Sequence, residues 1–136
     1  MTALTQSRYT RHREGTVTAH AVKGAVRIHK GGLVCADATG YAVPGSDSLG
    51  QTFIGVAIED ADNTDGADGA LSVRVMARGV FSFARGGSIT QADLGQPLYI
   101  VDDQTVAVVS TVTNDIQAGR LEGFDGNDVW LRIDLH

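Results

Sequence analysis

Cys35 is the single cysteine of the chain and its strongest candidate nucleophile. A cysteine attacks as the thiolate, which forms beside a base or a positive charge. The candidate bases are the histidines His12, His20, His29 and His136. Because Cys35 lies in an apolar run after Leu33 and Val34, we expect a buried and unreactive thiol. His29 alternates with the apolar Ile28 and should face solvent. The sequence therefore predicts no enzyme.

The acidic segment 59–69 is the nearest approach to a metal site. A calcium loop needs glycine at its sixth position and glutamate at its twelfth, and counting from Asp60 these positions hold Asp65 and Leu71. A solvated loop between two strands is the prediction, and a weak cation site is the alternative. His20 and His29 could meet across a hairpin, but two imidazoles without a third ligand make a poor zinc site. Neither glycine pattern that binds phosphate is present, so we expect no metal and no cofactor.

The elements that would position such groups are β-strands. Seventeen glycines interrupt the chain, and no amphipathic helical stripe develops between them. The segments rich in β-branched or aromatic residues are Thr16–Val22, Ala25–His29, Phe53–Ile58, Leu71–Ala77, Gly79–Phe83, Leu98–Val101, Thr105–Val109 and Val129–Leu135. Glycine-containing turns such as Lys23-Gly24 separate them, and one helical turn is predicted at Thr90–Leu94. The prediction is all-β: a small β-barrel or sandwich of short strands.

The charge of the chain is unevenly distributed. Residues 1–30 carry six of the eleven Lys and Arg against one acid, Glu14, although the net charge is -5. We predict a flexible, basic N-terminal arm over residues 1–14 that docks onto a negative surface, followed by a single β domain over residues 15–136; a solvated tail is the alternative for the arm. The acidic balance argues against a direct nucleic-acid partner. No apolar run approaches the ~18 residues of a membrane helix, so no membrane partner is expected.

The last predicted strand has two faces. Its core side is formed by Val129, Leu131, Ile133 and Leu135. Trp130 and Arg132 lie on the opposite side with Asp134, and because Trp and Arg are enriched at interfaces they are the candidate interface residues. A surface tryptophan packed under a loop is the alternative. Phe81 and Phe83 share one face of their strand and are expected in the core.

The two halves of the sequence show a similar order of features. Each has a strand, a Gly-Gly turn, a second strand, an Asp-containing turn, a third strand, a strand interrupted by glycine and a strand with a central arginine; the Gly-Gly turns are Gly31-Gly32 and Gly86-Gly87. In this comparison Gly55 corresponds to Gly119, and Arg74 corresponds to Arg132. A true repeat would make the fold a pseudo-two-fold barrel, whereas short hairpins with similar turns are the alternative.

Several glycine-punctuated segments follow one another in a recognisable order. They are Lys30–Val34 with Ala38–Pro44, Ile54–Ala61, Val73–Met76 with Arg78–Phe81, and Leu94–Ile100 with Asp102–Val106. In this order, over residues 15–135, the chain resembles the capsid decoration or cement proteins of tailed phages. Its longer basic leader and its Gly95-Gln96-Pro97 sequence depart from the family pattern.

The resemblance implies a structural protein that binds the outer surface of the assembled capsid and stabilises it, commonly as a trimer. Its partner would be the major capsid protein, and its place the capsid exterior of the virion after synthesis in the bacterial host cytoplasm. We expect capsid contacts from the arm residues Arg8, Tyr9, Arg11, His12 and Arg13. The alternatives are a carbohydrate-binding β module on a phage or host surface, and a nucleic-acid binder that uses the basic leader.

Overall fold

The computed structural model describes residues 3, 5–7 and 16–135. This part of the chain is all-β, as the sequence predicts. The strands are β1 Val17–Ala21, β2 Val26–Ile28, β3 Leu33–Ala36, β4 Ala42–Pro44, β5 Thr52–Ala57, β6 Ala61–Asn63, β7 Ser72–Met76, β8 Arg78–Arg85, β9 Pro97–Ile100, β10 Thr105–Ala107, β11 Gln117–Asp125 and β12 Asp128–Asp134. One 3-10 turn, Gln91–Asp93, lies inside the predicted helical turn. No described helix is long and apolar enough to cross a membrane.

Most of the strands belong to two five-stranded sheets. The first sheet has the order β1-β7-β5-β3-β4, and the second closes into a barrel with the order β8-β12-β11-β9-β10. The pairs within both sheets are antiparallel except β8 with β10, which close the barrel in parallel. β2 and β6 pair separately. We call β1, β3, β4, β5 and β7 the N-terminal unit, and β8 to β12 the C-terminal barrel.

The two units have the same topology. Taken in chain order, the five strands of the N-terminal unit correspond to the five of the C-terminal barrel, and both sheets then have the same strand order. In the C-terminal barrel, the parallel pairing of β8 with β10 closes the sheet. In the N-terminal unit, the equivalent strands β1 and β4 meet through a parallel bridge between Val22 and Ala42. Each unit also has a β-bulge at the same place, where the ladder skips Ile54 in β5 and Ala118 in β11.

Hydrogen bonds outside the ladders repeat in the same way. Gly31 N donates to Ala57 O at 2.8 Å, and Gly95 N donates to Leu121 O at 2.8 Å. Gly31 and Gly95 have φ values of 86° and 84°, which favour glycine. Further matching donor–acceptor pairs are Lys23–Ala42 with Gly86–Val106, Ala57–Gly32 with Leu121–Gln96, and Asp37–Tyr41 with Val101–Thr105. Topology and hydrogen bonding together support a repeat, but the predicted match of the two Gly-Gly turns is wrong, because Gly31 corresponds to Gly95 and Gly86 corresponds to Lys23.

The strand registers identify equivalent residues in the two units. Gly55 and Gly119 occupy the same place, as predicted, because a side chain at either position would collide with a carbonyl oxygen of the neighbouring strand. The pairing of Arg74 with Arg132 is wrong. In the C-terminal barrel, Arg120 of β11 lies opposite Arg132 of β12. At the equivalent position of the N-terminal unit, β5 pairs with Met76 of β7, so Met76 is the residue equivalent to Arg132. The connections before β7 and before β12 differ in length, so counting along the sequence does not align the two strands. Strand pairing sets the register, and the presence of an arginine in each strand does not reveal it.

The cores of the two units differ in side-chain size. Buried residues of the C-terminal barrel include Leu98, Val106, Leu121, Val129 and Leu131. The equivalent residues of the N-terminal unit are Val34, Ala42, Ala57, Val73 and Val75, and all of them except Val73, which matches Val129, are smaller. Ile28 of β2 and Ala61 of β6 join this smaller core. Because protein interiors are densely packed, β2 and β6 supply the volume that the smaller side chains leave.

The two units also share a hydrophobic cluster. Leu33, Cys35, Phe53 and Val56 of the N-terminal unit pack in the same cluster as the core of the C-terminal barrel. The connection is direct, since β7 ends at Met76 and β8 begins at Arg78. This packing fixes the C-terminal barrel and its outer surface to the rest of the chain.

The acidic segment 59–69 differs from its prediction as a loop between two strands. β6 lies within it and pairs with β2. Asn63, at the end of β6, is 2% exposed, and its Nδ2 donates to the carbonyl oxygens of Val22, Lys23 and Ala67. Asp and Asn are unfavourable in strands, so propensity did not indicate β6. β3, β4 and β11 are absent from the predicted segments rich in β-branched or aromatic residues, because alanine, proline and glycine weaken that signal, although the predicted repeat includes strands at these places.

Candidate interaction face

The outer surface of β8, β12 and β11 carries both candidate interface residues. β12 alternates as predicted: Trp130, Arg132 and Asp134 face outward, and Val129, Leu131 and Ile133 are buried. Trp130 lies opposite Ser82 of β8, and Arg132 lies opposite Val80. We call this surface the outer face; its residues are Val80, Ser82, Arg120, Glu122, Trp130 and Arg132.

Trp130 and Val80 are apolar side chains held at the surface of a closed barrel. They are 38% and 39% exposed. A Cβ added to Gly123 of β11 would lie 3.6 Å from Trp130 Cδ1, so the indole lies beside this glycine. The phenylalanines of β8 turn the other way, as predicted: Phe83 is buried and Phe81 packs partly buried against the core. The outer face therefore presents an aromatic anchor on rigid strands, a common feature of binding surfaces.

A β-bulge in β11 places Glu122 beside Arg132. The ladder pairs Leu121 with Leu131 and Gly123 with Trp130, which leaves Glu122 as the extra residue. Bulges re-aim side chains in this way. Glu122 Oε1 accepts a hydrogen bond from Arg132 Nη2 at 2.6 Å. This hydrogen bond, and then the negative charges of Glu122 and Asp134, raise the pKa of Arg132, so its guanidinium stays protonated.

Arg120 completes the outer face and was missed by the sequence interpretation. β11 places it directly opposite Arg132. Its Nη1 donates to Gly95 O at 3.1 Å, and it forms no ion pair with the described residues. The turn at 125–127 could have revealed it. Counting outward from this turn along both strands of the hairpin, and allowing one extra residue for the bulge, places Arg120 opposite Arg132.

A cleft of about 530 Å³ opens beside the two arginines. Its lining residues are Gln117, Ala118, Gly119, Arg120, Arg132, Asp134 and Leu135. A side chain at Gly119 would collide with the carbonyl oxygen of Arg132, so glycine keeps the two strands in close contact here. The volume falls within the range of ligand sites. A second cleft of about 350 Å³ is lined by His29, Lys30, Gly31, Gly32, Asp103 and Gln104.

The predicted arm contacts lie outside the described residues. These are Arg8, Tyr9, Arg11, His12 and Arg13. Only Trp130 and Arg132, of the residues predicted to make contacts, have described positions, and the structure brings them together on the outer face.

Cys35 is buried, as the sequence predicts. Burial raises the pKa of its thiol to about 12, and a backbone hydrogen bond from Ser46 opposes this only in part. A thiol with this pKa is protonated at neutral pH and is a poor nucleophile. His29 is exposed, as expected, and His20 shares a hydrogen bond of 2.9 Å with Thr18 along β1.

The carboxylates of the acidic segment make contacts within the fold. Asp60 Oδ1 accepts a hydrogen bond from Lys30 N at 2.8 Å, and Asp68 Oδ1 accepts one from Gly24 N at 2.8 Å. Asp62 accepts hydrogen bonds from Thr64, which lower the pKa of Asp62. Between residues 16 and 135, no group of three or more His, Cys, Asp or Glu side chains could hold a metal ion. These carboxylates hold the loop and β2 in place.

Asp37 and Lys23 form a group of interacting polar side chains with Thr39, Tyr41 and Asp68. Asp37 Oδ1 accepts hydrogen bonds from the hydroxyl and amide of Thr39 and from Tyr41 N. These contacts, the Thr39 hydroxyl first, lower the pKa of Asp37 to about 2. Lys23 Nζ lies 3.4 Å from Asp37 Oδ2, 4.0 Å from Asp68 Oδ2 and 5.8 Å from the ring centroid of Tyr41. Every charge here has a partner within the fold, so the group is structural.

Comparison of the chain with protein-family models, with curated proteins and with solved structures found no match. We therefore infer function from the outer face and its cleft, together with the resemblance carried by the sequence.

Proposed function

We propose that this chain is a structural protein of a tailed-phage head, which binds the outer surface of the assembled capsid and stabilises it. The observation that carries the proposal is the outer face, where Trp130 and Val80 are exposed beside Arg120 and Arg132 on a closed barrel. Trp and Arg are the residues that most often dominate binding energy at protein interfaces.

The architecture suits a role that requires binding without rearrangement. The strands of the outer face are fixed on both sides by ladders, so few side chains and no backbone segment must become ordered on binding. The shared hydrophobic cluster joins this face to the N-terminal unit, so force applied to one part is carried by the whole body. Both properties favour a reinforcing protein on the outside of a shell.

The basic leader would supply a second contact of a different kind. Arg8, Arg11 and Arg13 lie within a segment rich in Lys and Arg, while the chain as a whole carries a net charge of -5. An acidic groove on the shell would attract this segment over several ångströms. When the charged arm and the outer face belong to one chain, binding of one raises the effective concentration of the other at the shell. A trimer would repeat this gain in each of its copies, so that weak contacts add up to strong binding.

The deciding experiment is to purify particles from the source and look for the chain on them. We expect mass spectrometry to find the 14.3 kDa chain in stoichiometric amounts. Cryo-electron microscopy should show symmetry-related copies on the shell exterior with β8, β12 and β11 toward the capsid. Particles that lack the chain would show that the proposal is wrong.

Rebinding to stripped particles separates the two contacts. Deletion of residues 1–14 should leave a folded chain with much weaker capsid binding, and Trp130→Ala should weaken binding further. Leu49→Ala is the matched control, because Leu49 is 90% exposed and lies away from the outer face in the sequence. Undiminished binding of both variants would contradict the proposed contacts.

Trp130 also favours a second candidate, the carbohydrate-binding module. An exposed indole can stack on a sugar ring, and it is the only tryptophan of the chain. A glycan array probed with the purified chain tests this function. Saturable glycan binding that Trp130→Ala abolishes, with no binding to particles, would replace the capsid proposal.

A further inference from the structure

The repeat allows residues of the outer face to be compared with equivalent residues in the same chain. Arg120 and Arg132 form a cross-strand pair between β11 and β12. The equivalent pair between β5 and β7 is Val56 with Met76. Val56 is 4% exposed, and Met76 is half-buried. Val56 packs in the hydrophobic cluster shared by the two units, whereas Arg120 is exposed, so strand pairing at this position does not by itself require arginine.

The arginine pair is electrostatically unfavourable in the isolated chain. Like charges directly opposite each other across a ladder destabilise a sheet. Glu122 neutralises Arg132, but Arg120 donates a single hydrogen bond to Gly95 O and has no ion-pair partner among the described residues. A guanidinium carries five N–H donors, so Arg120 retains donors for a ligand. One negative charge would complete the cluster.

The adjoining cleft has the shape and the charge to receive that negative group. Four consecutive residues of β11, 117–120, line one side, and residues 132, 134 and 135 line the other, so the cleft follows the strands. Asp134 at its edge is paired with Arg78 at 3.4 Å, which reduces its repulsion of an anion. Arginine binds carboxylates through two parallel hydrogen bonds. We propose that this cleft binds an extended acidic segment of a partner protein, with a carboxylate held by Arg120 and Arg132.

Trp130 provides a direct measure of this binding. It is the single tryptophan, and it lies on the outer face two residues from Arg132. Titration of the full chain with a hexaglutamate peptide at low ionic strength should give a saturable change in tryptophan fluorescence. Added salt should weaken the binding, because exposed charges are screened. The test needs no capsid, so its result is independent of the capsid proposal.

The N-terminal unit supplies the test substitutions. Arg120→Val and Arg132→Met copy the equivalent residues of β5 and β7, and each should weaken peptide binding roughly 10-fold or more. The chain with Arg120→Val should unfold at the same temperature as wild type or higher at low salt, since a like-charge pair is removed. Arg120→Lys keeps the positive charge but loses the planar guanidinium, which can donate two parallel hydrogen bonds to a carboxylate. It should therefore also weaken peptide binding.

Arg74→Gln is the matched control. Arg74 is paired with Glu59 at 3.1 Å, and its side chain is 59% exposed, close to the 58% of Arg132. Its substitution changes net charge equally and should leave peptide binding unchanged. Equal losses in Arg74→Gln and Arg120→Val, or no saturable binding by wild type, would overturn the proposal. Tighter binding of inorganic phosphate or of a single-stranded DNA oligonucleotide through the same arginines would also overturn the assignment to an acidic peptide.

Discussion

Replacing Asn63 tests how the acidic segment is held to the rest of the fold. Asn63 is 2% exposed at the end of β6, and its Nδ2 lies 3.2 Å from Val22 O, 3.0 Å from Lys23 O and 2.9 Å from Ala67 O. Asn63→Ala removes the donor from all three carbonyl groups. Val22 O and Ala67 O keep the backbone donors Gly69 N and Ala70 N, so the loss falls mainly on Lys23 O and on the hydrogen bonds of the amide itself.

The expected loss follows from these contacts. The Asn63 amide has two N–H groups, so its three contacts count as about two hydrogen bonds; at about 1 kcal/mol net for each, the free energy of unfolding should fall by about 2 kcal/mol. For a chain of this size that corresponds to a fall in Tm of roughly 7 °C. Asn63→Asp should cost more at neutral pH, since a carboxylate would face the same three oxygens. Part of that cost should disappear as the pH falls and the carboxyl becomes protonated.

Urea unfolding followed by far-UV circular dichroism measures both variants. Asp65→Ala is the control, because Asp65 is an exposed residue of the same acidic segment. It should unfold close to wild type. A loss of less than about 1 kcal/mol in Asn63→Ala would refute the reasoning, because a buried amide with three partners should cost at least that.

Three further predictions concern backbone packing, acid stability and thiol reactivity. Gly119→Ala should cost about 1–3 kcal/mol in urea unfolding, because its methyl group would collide with the Arg132 carbonyl, whereas Gly87→Ala has open space and should be neutral. The pKa of Asp37 is lowered to about 2, so its contribution to stability is present above the ordinary carboxyl pKa of about 4 and is lost as the pH falls through 2. Asp37→Asn should therefore reduce stability at pH 7 and flatten its decline between about pH 4 and pH 2 in thermal scans. Cys35, with its thiol pKa raised to about 12, should react with a thiol reagent only in urea, and rapid reaction of the folded chain would contradict its burial.

The sequence was informative where the signal is local. The alternation of β12 placed Trp130 and Arg132 outward, and the apolar run placed Cys35 in the core. Both follow from the two-residue period of a strand and from hydrophobicity. β6 was missed because its residues, Ala-Asp-Asn, have no strand propensity of their own. Pairing with β2 and burial of Asn63 determine its conformation.

Tertiary structure was needed wherever two distant segments meet. The sequence suggested a repeat and found Gly55 with Gly119, yet it matched Arg74 to Arg132 and overlooked Arg120. A shift of one residue in register moves every side chain of a strand to the other face, and a bulge such as the one at Glu122 adds a further shift.

By itself the sequence determined the all-β class, the turns and the inward and outward sides of the clearest strands, because these depend on neighbours along the chain. Only the tertiary structure decided which strands pair, in what register, and hence that Arg120 and Arg132 lie side by side at a cleft. Those features depend on contacts between residues far apart in sequence, whose energies no local pattern records.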